Sequence, residues 1–297
     1  MNLRLAFRFL PIFLIALLRP HFCYSQDSTL RVMTYNIRLP VPDDGINYWG
    51  NRRSLVVSMF GYHEPDLIGV QEAFRRQINE IITDMPEYGW FGVCRTDGST
   101  NPNPDGEFSA ILYRKDRLRL IDGGTFWLSE TPDRAGSVGW DAALPRIVTW
   151  AQFRDKQTEK DFFHFNTHFD HMGVKAREES AKLLLHRIDS IAGEFPVVLT
   201  GDFNCGFEDP PYQVLTDLNR PDHLLDALAV TKTRHHGPRS TFSSTFQISG
   251  LKEVSRIDYI FVKNKVEVLR HAILSDNWYG KLASDHLPVL AQVELRK

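Results

Sequence analysis

The sequence has 297 residues, 42% hydrophobic and 24% charged, with 35 Lys and Arg against 37 Asp and Glu. It is long and apolar enough to bury a large core, and 19 Gly and 16 Pro are too few for a collagen-like or low-complexity chain. A mean hydropathy of −0.29 excludes a multi-span membrane protein, and the charge balance excludes one that coats polyanions through bulk positive charge.

The chain opens with Arg4 and Arg8, an apolar run at 9–18 interrupted only by Pro11, and then Cys23, Tyr24 and Ser25. That order is expected of a secretory signal peptide covering residues 1–25. As a helix the apolar run spans only about 15 Å, half a hydrocarbon core. A secreted or periplasmic location without stable membrane insertion is therefore expected. Removing the leader takes three arginines and no acidic residue, leaving a formal charge of −5. A nucleic-acid substrate would then need a local basic groove or a metal to offset repulsion. Cys94 and Cys205 remain, too few for a disulfide framework, and their spacing leaves open whether they pair.

Residues 30–37 read as a strand, and 52–62 as a helix with Leu55, Val56, Met59 and Phe60 at helical spacing. A short strand at 66–71 and a helix at 75–85 follow, then strands at 109–113 and 118–128 and a hairpin of 146–154 with 160–167. The helix at 174–192 carries a full apolar stripe, with Gly193 where a C-terminal cap belongs. Strands at 196–200, 257–262, 266–274 and 289–293 complete the pattern. No repeat or Ser/Gly linker divides the chain, so residues 26–297 are expected to form one α/β domain of two packed, mostly antiparallel sheets flanked by helices. Polar loops at 40–50, 95–106, 130–145 and 234–250 are long enough to carry function.

Acid, amide and imidazole groups recur where apolar strand runs end or begin. Asn36, Glu72, His168, Asp202 and Asn204 follow such runs, Asp258 begins one, and Asp285 and His286 precede another. If the strands lie side by side, these ends converge on one rim. The residue types suit phosphoryl transfer. Carboxylates hold a hard cation such as Mg²⁺ or Mn²⁺, and the cation offsets charge on a phosphate. An imidazole with a carboxylate partner exchanges a proton with water.

Six segments carry these residues: Thr-Tyr-Asn-Ile-Arg at 34–38, Gly-Val-Gln-Glu at 69–72, Asn-Thr-His-Phe at 166–169, Gly-Asp-Phe-Asn at 201–204, Arg-Ile-Asp-Tyr-Ile at 256–260 and Ser-Asp-His-Leu-Pro at 284–288. In this order they resemble the motif set of the endonuclease/exonuclease/phosphatase superfamily, across essentially the whole chain after the leader. The resemblance implies a DNase I-like four-layer α/β/β/α sandwich and a phosphoesterase using Mg²⁺ or Mn²⁺. It implies Glu72 as principal metal ligand, helped by Asn36 and Asp285. Asp202 would orient or deprotonate water or hold a second metal, and Asn204 would hold the phosphate or that water. His286, oriented by Asp258, and His168, supported by Glu107, would act on the phosphate.

His168 stands where abasic-site endonucleases generally have Tyr, and the stretch after Asn204 is similar to the poly(A)-type exonuclease branch, with Cys205 in place of its usual Ser. The expected substrate is a phosphodiester in nucleic acid or a nucleotide-like molecule. The alternatives are a phosphatase or phosphodiesterase for a small molecule or lipid head group, and a non-catalytic binding module. Arg146 and Arg177 are candidate phosphate contacts. Trp127 and Trp140 are read either as stacking platforms or as packed core, and His171, His235 and His236 as solvated. No protein partner is expected.

Overall fold

The computed structural model describes residues 28–252 and 255–296; the leader assigned to 1–25 lies outside them. In chain order the elements are β1 (Thr29–Asn36), α1 (Trp49–His63), β2 (Leu67–Gln71), β3 (Ala73–Phe74), α2 (Arg75–Asp84), β4 (Tyr88–Phe91), β5 (Glu107–Phe108), β6 (Ile111–Arg114) and β7 (Leu118–Trp127). They continue with β8 (Ile147–Asp155), β9 (Asp161–His168), α3 (Val174–Ala192), β10 (Val197–Asp202), α4 (Pro210–Thr216), β11 (Leu225–Asp226), α5 (Ala227–Val230), β12 (Asp258–Lys263), β13 (Val266–Ile273) and β14 (Val289–Leu295).

Two six-stranded sheets form, ordered β13-β14-β1-β2-β6-β4 and β11-β12-β10-β9-β8-β7, and β3 pairs with β5 in a small ribbon. Each large sheet has one parallel pair, β1 with β2 and β9 with β10. A parallel pair brings two C-terminal strand ends together. Asn36 therefore lies opposite Gln71, and His168 opposite Asp202.

Period-two alternation divides each strand between two cores. Leu30, Val32, Leu67, Phe162, Val198, Ile260 and Ala291 belong to the core between the sheets. Met33, Tyr35, Ile68 and Val70 pack with Val56, Phe60, Ile78 and Ile81 of α1 and α2. Phe163, Phe165 and Leu199 pack with Leu184, Leu185 and Ile188 of α3. Helices, sheet, sheet and helices thus make the expected four-layer sandwich.

The inter-sheet face changes from apolar to polar toward the strand ends that carry the candidate residues. Gln71 donates to Asn166 Oδ1 (2.7 Å) and Thr34 Oγ1 (3.0 Å), and Thr200 Oγ1 donates to Asn166 Oδ1 (3.0 Å). Asn166 Nδ2 donates to the carbonyls of Val70 and Ala110, and His164 Nε2 meets Thr200 Oγ1 at 2.8 Å. A buried polar network is stable when its members find partners, as most of these do. Gly69 lets the sheets approach here: a Cβ would sit 2.1 Å from Thr200 Oγ1 and 2.4 Å from Asn166 Oδ1.

The structure differs from the sequence expectations mainly in short elements. The first helix begins at Trp49 rather than 52, and β3, β4, β5, β11, α4 and α5 were not anticipated. These pieces are too short for periodicity to register. Among the described residues Cys94 and Cys205 are both buried and do not pair with each other.

Candidate active site

The two sheets deliver their polar strand ends to one cleft of about 380 Å³, lined in part by Arg38, Glu72, Arg95, Glu107, Arg146, His168, Asp202, Asn204, Asp285 and His286. Three of these positions need an unusual backbone. Arg38, Glu72 and Asn204 have left-handed φ values of 60°, 57° and 49°. Gln71 faces the opposite sheet, so plain alternation would send Glu72 toward the helices. The left-handed turn returns its carboxylate to the cleft. Such conformations cost about 1–3 kcal/mol in non-glycine residues and persist only where the surroundings hold them.

Asn36 Nδ2 bridges Asp202 Oδ2 (2.9 Å) and Glu72 Oε1 (3.1 Å), while Asn36 Oδ1 accepts from the Arg38 backbone (3.0 Å). Glu72 Oε2 accepts from the Leu39 backbone at 3.0 Å. Arg38 is clamped by Asp44 and lies 3.8 Å from Asp285.

His286 Nδ1 meets Asp258 Oδ2 at 2.9 Å, and its Nε2 lies 3.7 Å from Asp202 Oδ2. His168 Nε2 lies 3.4 Å from that same oxygen and 3.1 Å from Asn204 Nδ2. His168 Nδ1 is 3.7 Å from Glu107 Oε1, which is held by Arg95 at 2.6 Å. Burial disfavours charge on both rings. For His286, Asp258 and Asp202 outweigh it and hold the imidazole well above its ordinary value. His168 is pushed down to about 3 by burial, aided by Arg146 and only partly opposed by Asp202. Burial raises Asp202, with the Asp258 charge acting in the same direction.

Glu72, Asp202 and Asp285 fit a hard divalent cation by donor chemistry; Asn36 would join them through its amide oxygen, which here accepts from the Arg38 backbone while Nδ2 faces the carboxylates. Donor atoms of Asp202, Asp258 and His286 also lie within 4.8 Å of one another. In that group Asp258 is already engaged with His286, so the oxygen-rich side at Glu72 is the better match.

Arg146 is 4% exposed. Its Nε binds Asp170 Oδ2 at 3.2 Å, its Nη2 meets His171 Nδ1 at 3.0 Å, and its Nη1 is buried without a partner among the described residues. Arg177 does not line the cleft and donates instead to the Asp170 carbonyl. Trp127 is buried, with its indole on the Arg95 carbonyl, and Trp140 is half-buried; neither lines the cleft. His171 lines the cleft, half-exposed, whereas His235 pairs with His271 elsewhere. Sequence reasoning gave no role to Arg38 or Arg95. Arg38 lay within a quoted motif, but no local pattern marked Arg95.

Two helix-flanked sheets with carboxylates, amides and imidazoles at adjoining strand ends define a DNase I-like protein. The chain belongs to the Endonuclease/Exonuclease/phosphatase family, whose model matches residues 33–286. Protein L388 of Acanthamoeba polyphaga mimivirus is 31% identical over 82% of this chain and 91% of its own. A solved endonuclease/exonuclease/phosphatase of Bacteroides vulgatus is 39% identical, with a TM-score of 0.83 over 90% of this chain and 99% of that one. A solved mannosyl-6-phosphatase of Bacteroides thetaiotaomicron is 35% identical, with a TM-score of 0.82 over 89% of this chain and 99% of that one. Members of the family are phosphoester hydrolases and typically use divalent metals.

Proposed function

We propose that the protein is a divalent-cation-dependent phosphomonoesterase acting on a small polar ester of the sugar-phosphate type. The observation that carries this reading is the cleft wall. Arg38, Arg95 and Arg146 bring guanidinium donors to a cleft of about 380 Å³ beside the carboxylates that would hold a cation, and neither tryptophan considered for base stacking lines it. Phe242, which does line the cleft, is tilted against the His286 ring at 5.0 Å. The likeness to a mannosyl-6-phosphatase supports the same substrate class.

Mg²⁺ or Mn²⁺, held by Glu72 with Asn36 and Asp285, would supply positive charge against the phosphoryl oxygens. Asp202, raised by burial, accepts the proton of the attacking water. As the bond from phosphorus to the ester oxygen breaks, His286, held protonated by Asp258, gives its Nε2 proton to the departing oxygen. Neutral His168 and the Asn204 amide hold water or a non-bridging oxygen, with Glu107 behind the ring. Arg146 Nη1 binds a phosphate oxygen. The leader at 1–25 supports action outside the cytoplasm, which N-terminal sequencing of the exported protein checks.

The test compares mannose 6-phosphate, other sugar monophosphates, an aryl phosphodiester and single-stranded RNA and DNA, each with Mg²⁺, Mn²⁺ or EDTA. Metal-dependent release of phosphate from sugar monoesters is expected. Turnover of diesters or oligonucleotides alone would restore the nuclease reading. No turnover under any condition would favour a binding module.

A further inference from the structure

Arg52, on the first turn of α1, is fully buried and has no carboxylate partner among the described residues. Its guanidinium is spent on four main-chain carbonyls. Nη1 donates to Ile37 and Ala283 (both 2.8 Å), Nε to Asn47 (2.6 Å) and Nη2 to Arg38 (3.0 Å). The rings of Trp49 and Phe246 lie 5.5 and 5.2 Å from the guanidinium carbon. Carbonyl dipoles and aromatic faces thus stand in for a counter-ion. Burial lowers the pKa of Arg52, and Asp285 opposes that shift.

The four carbonyls belong to three segments, at 37–38, 47 and 283, the last 231 residues from Arg52 in sequence. Ile37 and Arg38 directly follow Asn36. Asn47 closes the loop that carries Asp44, the clamp on Arg38. Ala283 precedes Ser284, whose hydroxyl donates to the Asn36 carbonyl (2.8 Å) and lies 3.2 Å from Asp285 Oδ1. The His286 backbone reaches that hydroxyl at 3.4 Å. Gln77 of α2 donates to the Arg38 carbonyl as well, at 3.0 Å. Two buried donors therefore hold the left-handed peptide from which the Leu39 N–H reaches Glu72.

We propose that Arg52 is a positioning residue for the cation site. By fastening the end of β1 to the loop before β14, it sets the spacing between Asn36 and Glu72 on one side and Asp285 on the other. A lysine keeps the charge but loses the planar fork that serves several carbonyls at once.

The inference rests on the reading that the cleft takes a divalent cation, so the readout is Mn²⁺ binding by calorimetry, without substrate. Arg117, another buried arginine, pairs with Asp155 at 2.6 Å away from the cleft and serves as the control. Arg52→Lys is expected to weaken Mn²⁺ binding by about tenfold or more, as outer-shell changes at metal sites do. Arg117→Lys is expected to destabilise the fold while keeping wild-type affinity. An affinity in Arg52→Lys within twofold of wild type, or an equal loss in Arg117→Lys, would overturn the proposal. If Arg52→Lys does not fold, Gln77→Leu decides: about threefold weaker Mn²⁺ binding supports the clamp, and unchanged binding overturns it. A wild-type protein that binds no Mn²⁺ would overturn the cation reading itself, and the proposal with it.

Discussion

His168 and His286 reach the same carboxylate oxygen of Asp202 from opposite neighbours, at 3.4 and 3.7 Å, yet one ring is driven neutral and the other is held protonated. The difference comes from Asp258, which touches His286 and not His168, and from Arg146, whose charge lowers His168. In the proposed mechanism an acid and a hydrogen-bonding neutral ring thus flank one base. His286→Ala is expected to lower turnover by about 10²- to 10⁴-fold. Asp258→Asn is expected to act in the same direction with the fold retained, as steady-state rates and circular dichroism would show. Near wild-type turnover in His286→Ala would remove the proposed acid.

Glu72 is the carboxylate proposed to hold the cation. Chelation with EDTA should abolish activity, and Mg²⁺ or Mn²⁺ should restore it. Glu72→Gln should weaken Mn²⁺ binding by at least tenfold in calorimetry, because a neutral amide replaces an anionic oxygen. Unchanged affinity would move the cation toward Asp202 and Asp258.

Arg146 offers a buried donor with no partner among the described residues, and Asp170 does not depend on it. Asp170 also accepts from the backbone N–H groups of Ala143, Met172 and Gly173. Arg146→Gln should therefore fold, yet lose about ten- to a hundredfold in kcat/KM, the range for a hydrogen bond to a charged group. The check is a full saturation curve alongside a melting curve; an unchanged kcat/KM would leave the arginine a purely structural role.

Gly69 marks the closest approach of the sheets. In Gly69→Ala the new methyl must displace Thr200 or the Asn166 amide, both inside the polar network. The expected loss is about 2–3 kcal/mol, read from urea unfolding, which is at the upper end for overpacking. A variant as stable as wild type would show that the inter-sheet spacing is soft.

His164 is fully buried, and burial pushes it from 6.5 down to about 3. The unfolded chain binds a proton there that the folded chain refuses. Its contribution is therefore fully present above about pH 6.5 and is lost as pH falls toward 3. Each such ring adds up to about 1.4 kcal/mol per pH unit. His164→Gln should flatten stability against pH by about that amount between pH 4 and 6, measured by urea midpoints. An unchanged slope would place the acid sensitivity elsewhere.

The strand-end residues were legible because each follows or begins a strand whose apolar run is itself recognisable. Asn36, Glu72, His168, Asp202, Asn204, Asp258, Asp285 and His286 do meet at one rim, and Glu107 lies beside His168. The polar network was legible only in hindsight. Residues 162–168 place His164, Asn166 and His168 on one face, a period-two signal that the surrounding phenylalanines masked. Arg52 was hidden for a different reason. A charged residue on a helix reads as solvent-facing, and only tertiary structure shows three separate segments turning their carbonyls toward it. Arg177 misled because nearness to His168 in sequence is not nearness in space once a helix begins.

The placement of β14 has a consequence for the order of assembly. This strand lies between β1, formed early in the sequence, and β13, formed late. During synthesis the growing polypeptide carries Asn36 and Glu72 long before residues 285–295 emerge from the ribosome. Until they do, β1 has an open edge, and Asp285 and His286 are missing from the cleft. A truncated or nascent product would expose that edge to aggregation while remaining inert toward phosphate esters, so chemical competence arrives as a late, all-or-none event.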